Sequence, residues 1–101
     1  MSRKSLVLSR LQEKKESLAR IGVSKIGLFG SIVREEDTPD SDIDILVDFD
    51  PSARKFSNFN LLCDVLDETL GEDYDLVTMS GLSPYIGERI LKEVEYVPLA
   101  S

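Results

Sequence analysis

The sequence contains no histidine, and Cys63 is its only cysteine. Catalytic sites that use imidazole are therefore excluded within this chain, as are an internal disulfide and a metal cluster held by thiolates. Apolar stretches are also short, and none approaches the ~20 residues that span a bilayer. The stretch near the N-terminus covers only Leu6, Val7 and Leu8, whereas a signal peptide needs ~7–15 apolar residues. We therefore expect a cytoplasmic protein that binds no membrane.

Basic residues are outnumbered in this chain. Its 12 Lys and Arg stand against 19 Asp and Glu, which gives a net charge of −7. Nonspecific nucleic-acid binding depends on positive charge that neutralises phosphates, so we expect no nucleic acid to be bound directly. The 101 residues, 42% of them hydrophobic, have the composition of one globular domain covering residues 1–101. Without histidine, any chemistry must use carboxylates, hydroxyls, Lys, Arg, Tyr or a metal ion held by oxygen.

Apolar residues at helical spacing predict three long helices. The first is expected to end at Gly22 and the second at Gly71, because glycine commonly follows the last turn of a helix. The third opens with Ser83 as N-cap and Pro84 at the first helical position. Their predicted apolar faces are Val7, Leu11, Leu18 and Ile21 in the first helix, Leu61, Leu62, Val65, Leu66 and Leu70 in the second, and Ile86, Ile90 and Val94 in the third.

Three strands are predicted, at residues 25–29, 42–49 and 74–78. The 42–49 strand is the clearest, because apolar residues alternate onto one of its faces, namely Ile43, Ile45, Val47 and Phe49. Tyr96 and Val97 either extend the last helix or form a small extra strand. This alternation of helices and strands indicates a small layered protein of the α/β or α+β class.

Two aspartates on the clearest strand are candidate metal ligands. Asp42 and Asp44 lie two residues apart, so their side chains are expected to leave the same face, with Cα atoms ~6.6 Å apart. Mg²⁺ is their natural partner, because it prefers oxygen ligands and is often completed by substrate phosphates. Asp48 shares the face but lies ~13 Å beyond Asp44, too far to join a tight site. A third acid is expected from a neighbouring strand, where Asp75 is best placed, and two ions ~3.5–4 Å apart could then clamp an in-line phosphoryl displacement.

A candidate phosphate-binding turn precedes these acids. Gly30 and Ser31 follow a strand and open a predicted short helix that runs to about Glu36. Glycine lets the backbone approach an anion closely, the helix start offers free N–H groups, and the serine hydroxyl adds a donor. Arg34, about one turn further on, could support this turn or touch the nucleotide itself.

Each feature alone also has a plain structural explanation. Asp42 could cap the turn before it, and Asp44 could be a solvated strand residue. Gly30 and Ser31 could form an ordinary helix N-cap, and Arg34 could make a surface ion pair. The combination and its spacing favour the functional interpretation.

The spacing reproduces a known signature. Gly30 and Ser31 are followed by ten residues and then by Asp42-Ile43-Asp44, which matches the Gly-Ser-x10-Asp-x-Asp signature of the nucleotidyltransferase superfamily. The longer string GLFGSIVREEDTPDSDIDILVDF closely resembles the minimal nucleotidyltransferases, which are related to the DNA polymerase β fold. The later YDLVTMSGLSPYIGERILKEVEYV is similar to the C-terminal segment of that family. The resemblance therefore implies a small nucleotidyltransferase fold, with a short mixed sheet of three or four strands packed against about four helices.

The resemblance also implies roles for individual residues. Gly30 and Ser31 would hold the triphosphate of ATP, Asp42 and Asp44 would bind two Mg²⁺ ions, and Asp75 would be the third acid. Minimal nucleotidyltransferases are commonly encoded beside HEPN ribonuclease toxins and resemble antitoxins that transfer AMP to a toxin tyrosine. We therefore expect an adenylyltransferase that uses ATP, releases pyrophosphate and forms a hetero-oligomer with a HEPN toxin. Two alternatives remain open: nucleotidyl transfer to a small molecule such as an aminoglycoside, and an antitoxin that neutralises its partner by binding alone.

Overall fold

The helices and strands of the computed structural model, which describes residues 2–99, follow the predicted order. The helices are α1 (Arg3–Glu13), α2 (Lys15–Ile21), α3 (Phe56–Leu70) and α4 (Pro84–Glu93). The strands are β1 (Val23–Phe29), β2 (Ile43–Phe49), β3 (Tyr74–Thr78) and β4 (Glu95–Tyr96). Single 3₁₀ turns lie at Gly30–Ile32, Pro51–Ala53 and Met79–Gly81. Within residues 2–99, none of these helices combines the length and the apolarity of a membrane span.

The four strands form one mixed sheet in the order β3-β2-β1-β4. β1 pairs antiparallel with β2 and with β4, whereas β2 pairs parallel with β3. Parallel neighbours need a crossover connection, and α3 lies in the segment that joins β2 to β3. The predicted mixed sheet with about four helices is therefore confirmed. Of the two interpretations of Tyr96, the small extra strand is correct.

One face of this sheet carries the hydrophobic core. The alternating residues of β2 are buried as predicted, and they pack against apolar side chains of α1, α2 and α3. The buried helical residues are Val7, Leu11, Leu18, Leu62, Leu66 and Leu70. The opposite face of β2 carries Leu46, which is fully buried, and on either side of it Asp44 and Asp48, which are only partly buried. The core therefore fixes β2 from one side and leaves its acidic side chains to the other.

The predicted first helix is two helices. The break falls at Lys14, whose backbone N–H donates to the carbonyls of Leu11 and Gln12 instead of continuing the α-helical pattern. Leu11 and Leu18 are fully buried on either side of the break, so the apolar face continues across it. Sequence periodicity records that shared face and not the break in the backbone hydrogen bonds.

Two residues of the predicted apolar helix faces lie outside the core. Leu61 on α3 is 52% exposed and Ile86 on α4 is 60% exposed. The buried residues of α3 are Leu62, Leu66 and Leu70, which are spaced by four, and Leu61 lies one position off that stripe. The apolar surface of these two side chains is therefore exposed and can contact another molecule.

The contrast between Leu66 and Leu61 generates a stability prediction. We expect Leu66→Ala to lower the free energy of unfolding by about 2–5 kcal/mol, because it leaves a cavity in a closed core. Leu61→Ala should cost less than about 1 kcal/mol, because the side chain is half exposed. Urea unfolding of both variants measures the difference. Equal losses would show that α3 turns Leu61 into the core.

Candidate active site

Asp44 and Asp75 lie side by side in the parallel pair of β2 and β3, where each is the register partner of the other. Both line an open cleft of about 530 Å³. Its walls include the apolar side chains of Phe29, Ile86 and Ile90. The structure thus brings together two acids that are 31 positions apart in the sequence, next to an apolar surface that reaches α4.

The Asp44 carboxyl is in an environment that disfavours its charge. Its partial burial raises its pKa above the usual value, and the negative charges of Asp75 and Asp42 raise it further. The positive charge of Arg34 lowers the pKa of Asp44, and its effect is smaller than each of these. Carboxylates that repel one another in this way become more favourable when a cation lies between them.

Asp42 does not lie on the strand as predicted. β2 begins at Ile43, and exposed Asp42 lies one residue before it. Asp42 instead lines a neighbouring cavity of about 280 Å³ together with Arg3 and Asp73. Its charge is still close enough to raise the pKa of Asp44, so the three predicted acids surround one corner of the sheet.

The predicted phosphate-binding turn lies directly against Asp44. Gly30 follows β1 with a φ of 76°, and a Cβ atom at this position would overlap Oδ2 of Asp44. Only glycine satisfies both the left-handed backbone and the close approach of that carboxylate. The predicted short helix to Glu36 is a single 3₁₀ turn, Gly30–Ile32, and Glu35 leaves helical geometry with a φ of 57°. Ser31 lies half-buried in that turn.

Glu93 is a residue of this site that the sequence patterns did not indicate. Its carboxylate accepts a hydrogen bond from the backbone N–H of Gly30. Its two oxygens also lie 2.9 and 3.1 Å from Nη1 of Arg34, and Nε of Arg34 lies 3.2 Å from Glu36. Arg34 therefore makes the ion pairs expected of a surface residue, and through Glu93 it is also connected to the turn at Gly30.

Arg3 is a second residue that the sequence patterns missed. As the first residue of α1, it donates from Nη1 to Asp37 at 3.1 Å and from Nη2 to the carbonyl of Ser41 at 2.7 Å. Arg3 also binds Glu72, which lies just before β3. One guanidinium group thus connects the loops that lead into both acid-bearing strands. Contacts across 34 to 69 positions leave no signature in local periodicity.

Comparison with known proteins places this geometry in a family. Residues 8–97 match the model of the nucleotidyltransferase domain. The chain belongs to this family. It is 48% identical to the protein adenylyltransferase MntA of Thermococcus cleftensis over 86 residues, which are 83% of this chain and 84% of that protein.

Solved structures give the same result for the fold. A candidate minimal nucleotidyltransferase is 32% identical and superposes with a TM-score of 0.72, covering 94% of this chain and 95% of the other. A crystal structure of a toxin–antitoxin with AMP-PNP is 26% identical with a TM-score of 0.61, covering 86% of this chain and 72% of the other. The resemblance and the enzyme class predicted from the sequence are confirmed.

The acids of this nucleotidyltransferase are candidate ligands for Mg²⁺. Within residues 2–99, no three His, Cys, Asp or Glu side chains form a ready-made metal cage. Mg²⁺ seldom uses such a cage, because it usually combines one or two carboxylates with waters and substrate phosphates. Asp44 and Asp75, with Asp42 nearby, supply oxygen ligands of this kind. The donor set therefore fits a magnesium ion that arrives with a nucleotide.

The raised pKa of Asp44 generates a prediction about stability. A raised pKa means that the folded protein loses stability as pH rises through that pKa, so Asp44→Asn should stabilise the nucleotidyltransferase at pH 7. The gain should be below about 1 kcal/mol, because the carboxylate is only partly buried and solvent still screens its charge. It should vanish as the pH falls towards the ordinary value of 3.8. Urea unfolding at pH 7 and pH 4 checks this.

The control for this measurement is Asp48→Asn. Asp48 lies on the same face of β2, but its carboxylate is 3.4 Å from Arg54 and is not among the charges that affect Asp44. Removing its charge should not stabilise the protein at either pH. A loss of stability in Asp44→Asn at pH 7 would show that the charge of Asp44 does not destabilise the folded protein.

The contacts of Arg3 generate a second prediction. Arg3→Ala should speed hydrogen exchange at the amides of Ser41 and Ile43 by about tenfold or more, because charged hydrogen bonds contribute roughly 1.5–3 kcal/mol each. Arg10→Ala, at the other end of α1, is the control and should leave both amides protected. Unchanged exchange in Arg3→Ala would show that the loop before Asp42 is held by other contacts.

Proposed function

We propose that this chain is a magnesium-dependent protein adenylyltransferase that moves AMP from ATP to a tyrosine hydroxyl of a HEPN toxin and so acts as its antitoxin. The observation that carries the proposal is the pairing of Asp44 with Asp75 in an open cleft beside the Gly30 turn. Similarity to a protein adenylyltransferase and to a toxin–antitoxin with AMP-PNP supports the choice of reaction and partner.

The reaction is an in-line displacement at the α-phosphate of ATP. The acceptor oxygen forms a bond to the α-phosphorus, the bond from that phosphorus to pyrophosphate breaks, and the hydroxyl proton passes to the Asp75 carboxylate. Asp42, Asp44 and Asp75 would hold Mg²⁺, which supplies positive charge to the phosphates and to the attacking oxygen. Gly30 through its N–H and Ser31 through its hydroxyl would stabilise the negative charge that develops on the leaving phosphates.

The cleft suits an acceptor on the surface of another protein. It is open, and its apolar wall includes Ile86, which is 60% exposed on α4. An aromatic ring that carries the acceptor hydroxyl can bury apolar area against this wall while its oxygen reaches the acids. The exposed position of Asp75 on β3 leaves its carboxylate accessible to that oxygen.

The experiment is transfer from ATP labelled at the α-phosphate, in host lysate with Mg²⁺. Wild-type protein and Asp48→Asn should label one protein band, and Asp44→Asn and Asp75→Asn should reduce that label at least about 100-fold. Chelation of Mg²⁺ should abolish it. Mass spectrometry of the band identifies the modified residue, and a residue other than tyrosine would correct the acceptor.

Two outcomes would overturn the proposal in favour of the alternatives. Neutralisation of the toxin by Asp44→Asn as strong as that by the wild type would indicate an antitoxin that acts by binding. Label on a small molecule and on no protein would indicate a small-molecule acceptor such as an aminoglycoside.

A further inference from the structure

The Glu93 carboxylate occupies a position that is built to bind an anion. It is the last residue of α4, and it is held by the backbone N–H of Gly30 and by the guanidinium group of Arg34. Bonds from an N–H group and a guanidinium to a carboxylate are charge-assisted, and the same donors bind phosphate oxygens equally well. Glu93 lies near the acids as well, because Gly30, whose N–H it accepts, packs directly against the Asp44 carboxylate.

We propose that Glu93 takes the place of a nucleotide phosphate oxygen in the nucleotide-free enzyme, so that nucleotide must displace it and Glu93 sets the nucleotide affinity. This inference rests on the proposed function, which assigns the Gly30 N–H to the nucleotide phosphates, and on the sequence expectation that Arg34 touches the nucleotide. A polyphosphate with its bound cation has more acceptor oxygens than one carboxylate. It can therefore replace Glu93 as the acceptor of the hydrogen bonds from Gly30 and Arg34.

The displaced side chain has a place to go. Glu93 is 28% exposed and borders a cavity of about 190 Å³ that is also lined by Arg34 and Arg89. Arg89 lies four residues before Glu93 on α4, within reach of an i,i+4 ion pair. The carboxylate can therefore leave Gly30 for Arg89 without unwinding the helix or being buried unpaired.

Removal of the Glu93 charge separates two roles for this residue. If Glu93 competes with phosphate, Glu93→Gln frees Arg34 and removes a negative charge from the site, so nucleotide binds more tightly. If Glu93 instead holds Gly30 and Arg34 in their binding positions, the same change makes nucleotide bind more weakly. The two roles predict opposite signs in one binding measurement.

The measurement is calorimetric titration of the full chain with α,β-methylene-ATP and Mg²⁺. This analogue is chosen because the bond between its α- and β-phosphorus atoms cannot be cleaved by adenylyl transfer. We expect Glu93→Gln to lower the Kd roughly three- to tenfold, the range expected for loss of a partly exposed charged contact. Glu93→Asp keeps the charge but is too short to reach the Gly30 N–H, and it should also bind more tightly than the wild type.

The matched control is Glu88→Gln, which removes the same charge from α4 at a residue that pairs with Lys92. Its Kd should stay within about twofold of the wild-type value, because the exposed charge is screened by solvent. In wild-type protein, the analogue should also shift the NMR resonances of the Gly30 amide and of the Glu93 carboxylate together.

The results distinguish this inference from the function on which it rests. Unchanged or weaker binding in Glu93→Gln, with tight binding in the wild type, overturns the competitor role and leaves the adenylyltransferase proposal intact. A shift of Gly30 without Glu93 would overturn it as well. Failure of every variant and of the wild type to bind the analogue would overturn both.

Discussion

The parallel pairing of β2 with β3 is the constraint on which the site depends. Its register sets Asp44 beside Asp75, so two like charges meet at one level of the sheet. Partial burial of Asp44 and the nearby charge of Asp75 both disfavour its ionised form, and both raise its pKa. The hydrophobic core maintains this arrangement, because Ile43 and Ile45 on either side of Asp44 are completely buried on the opposite face. The free energy gained by burying one face of β2 thus offsets the electrostatic repulsion between the acids on the other face.

Two ion-pair systems, one from each end of the chain, surround this pair of acids. Arg3 on α1 connects the loop before Asp42 with the loop before β3. Glu93 on α4 connects the turn at Gly30 with Arg34. The two terminal helices therefore do more than cover the sheet. They hold the irregular segments that bring backbone donors and carboxylates to the same corner.

The proposed reaction needs an accessible surface beside the acids. The core uses the inner sides of α1, α2 and α3, whereas Ile86 on α4 contributes to the cleft beside Asp44 and Asp75. The cleft is open, so a second substrate that enters it stays partly exposed unless it brings walls of its own.

Most of the framework could be predicted from the sequence because it depends on local patterns. Period-two alternation in β2, the glycines after α2 and α3, and Ser83-Pro84 at the start of α4 each act within a few residues. The spacing of Gly30-Ser31 and Asp42-Ile43-Asp44 likewise identified the family, since both parts lie close in the chain. Leu61 was placed wrongly because an offset of one position in a leucine-rich helix changes its direction by about 100°.

The sequence by itself determined the helices and strands, the family signature and the acidic residues that are candidates for the site. The tertiary structure alone decided that Asp42 lies outside β2, that Glu93 binds the Gly30 N–H, and that Arg3 connects two distant loops. These contacts join residues 34 to 69 positions apart or depend on where a strand begins. The chain has many charged residues with the same chemistry, and strand pairing and helix docking decide which of them come into contact. No local sequence pattern shows which of these contacts form.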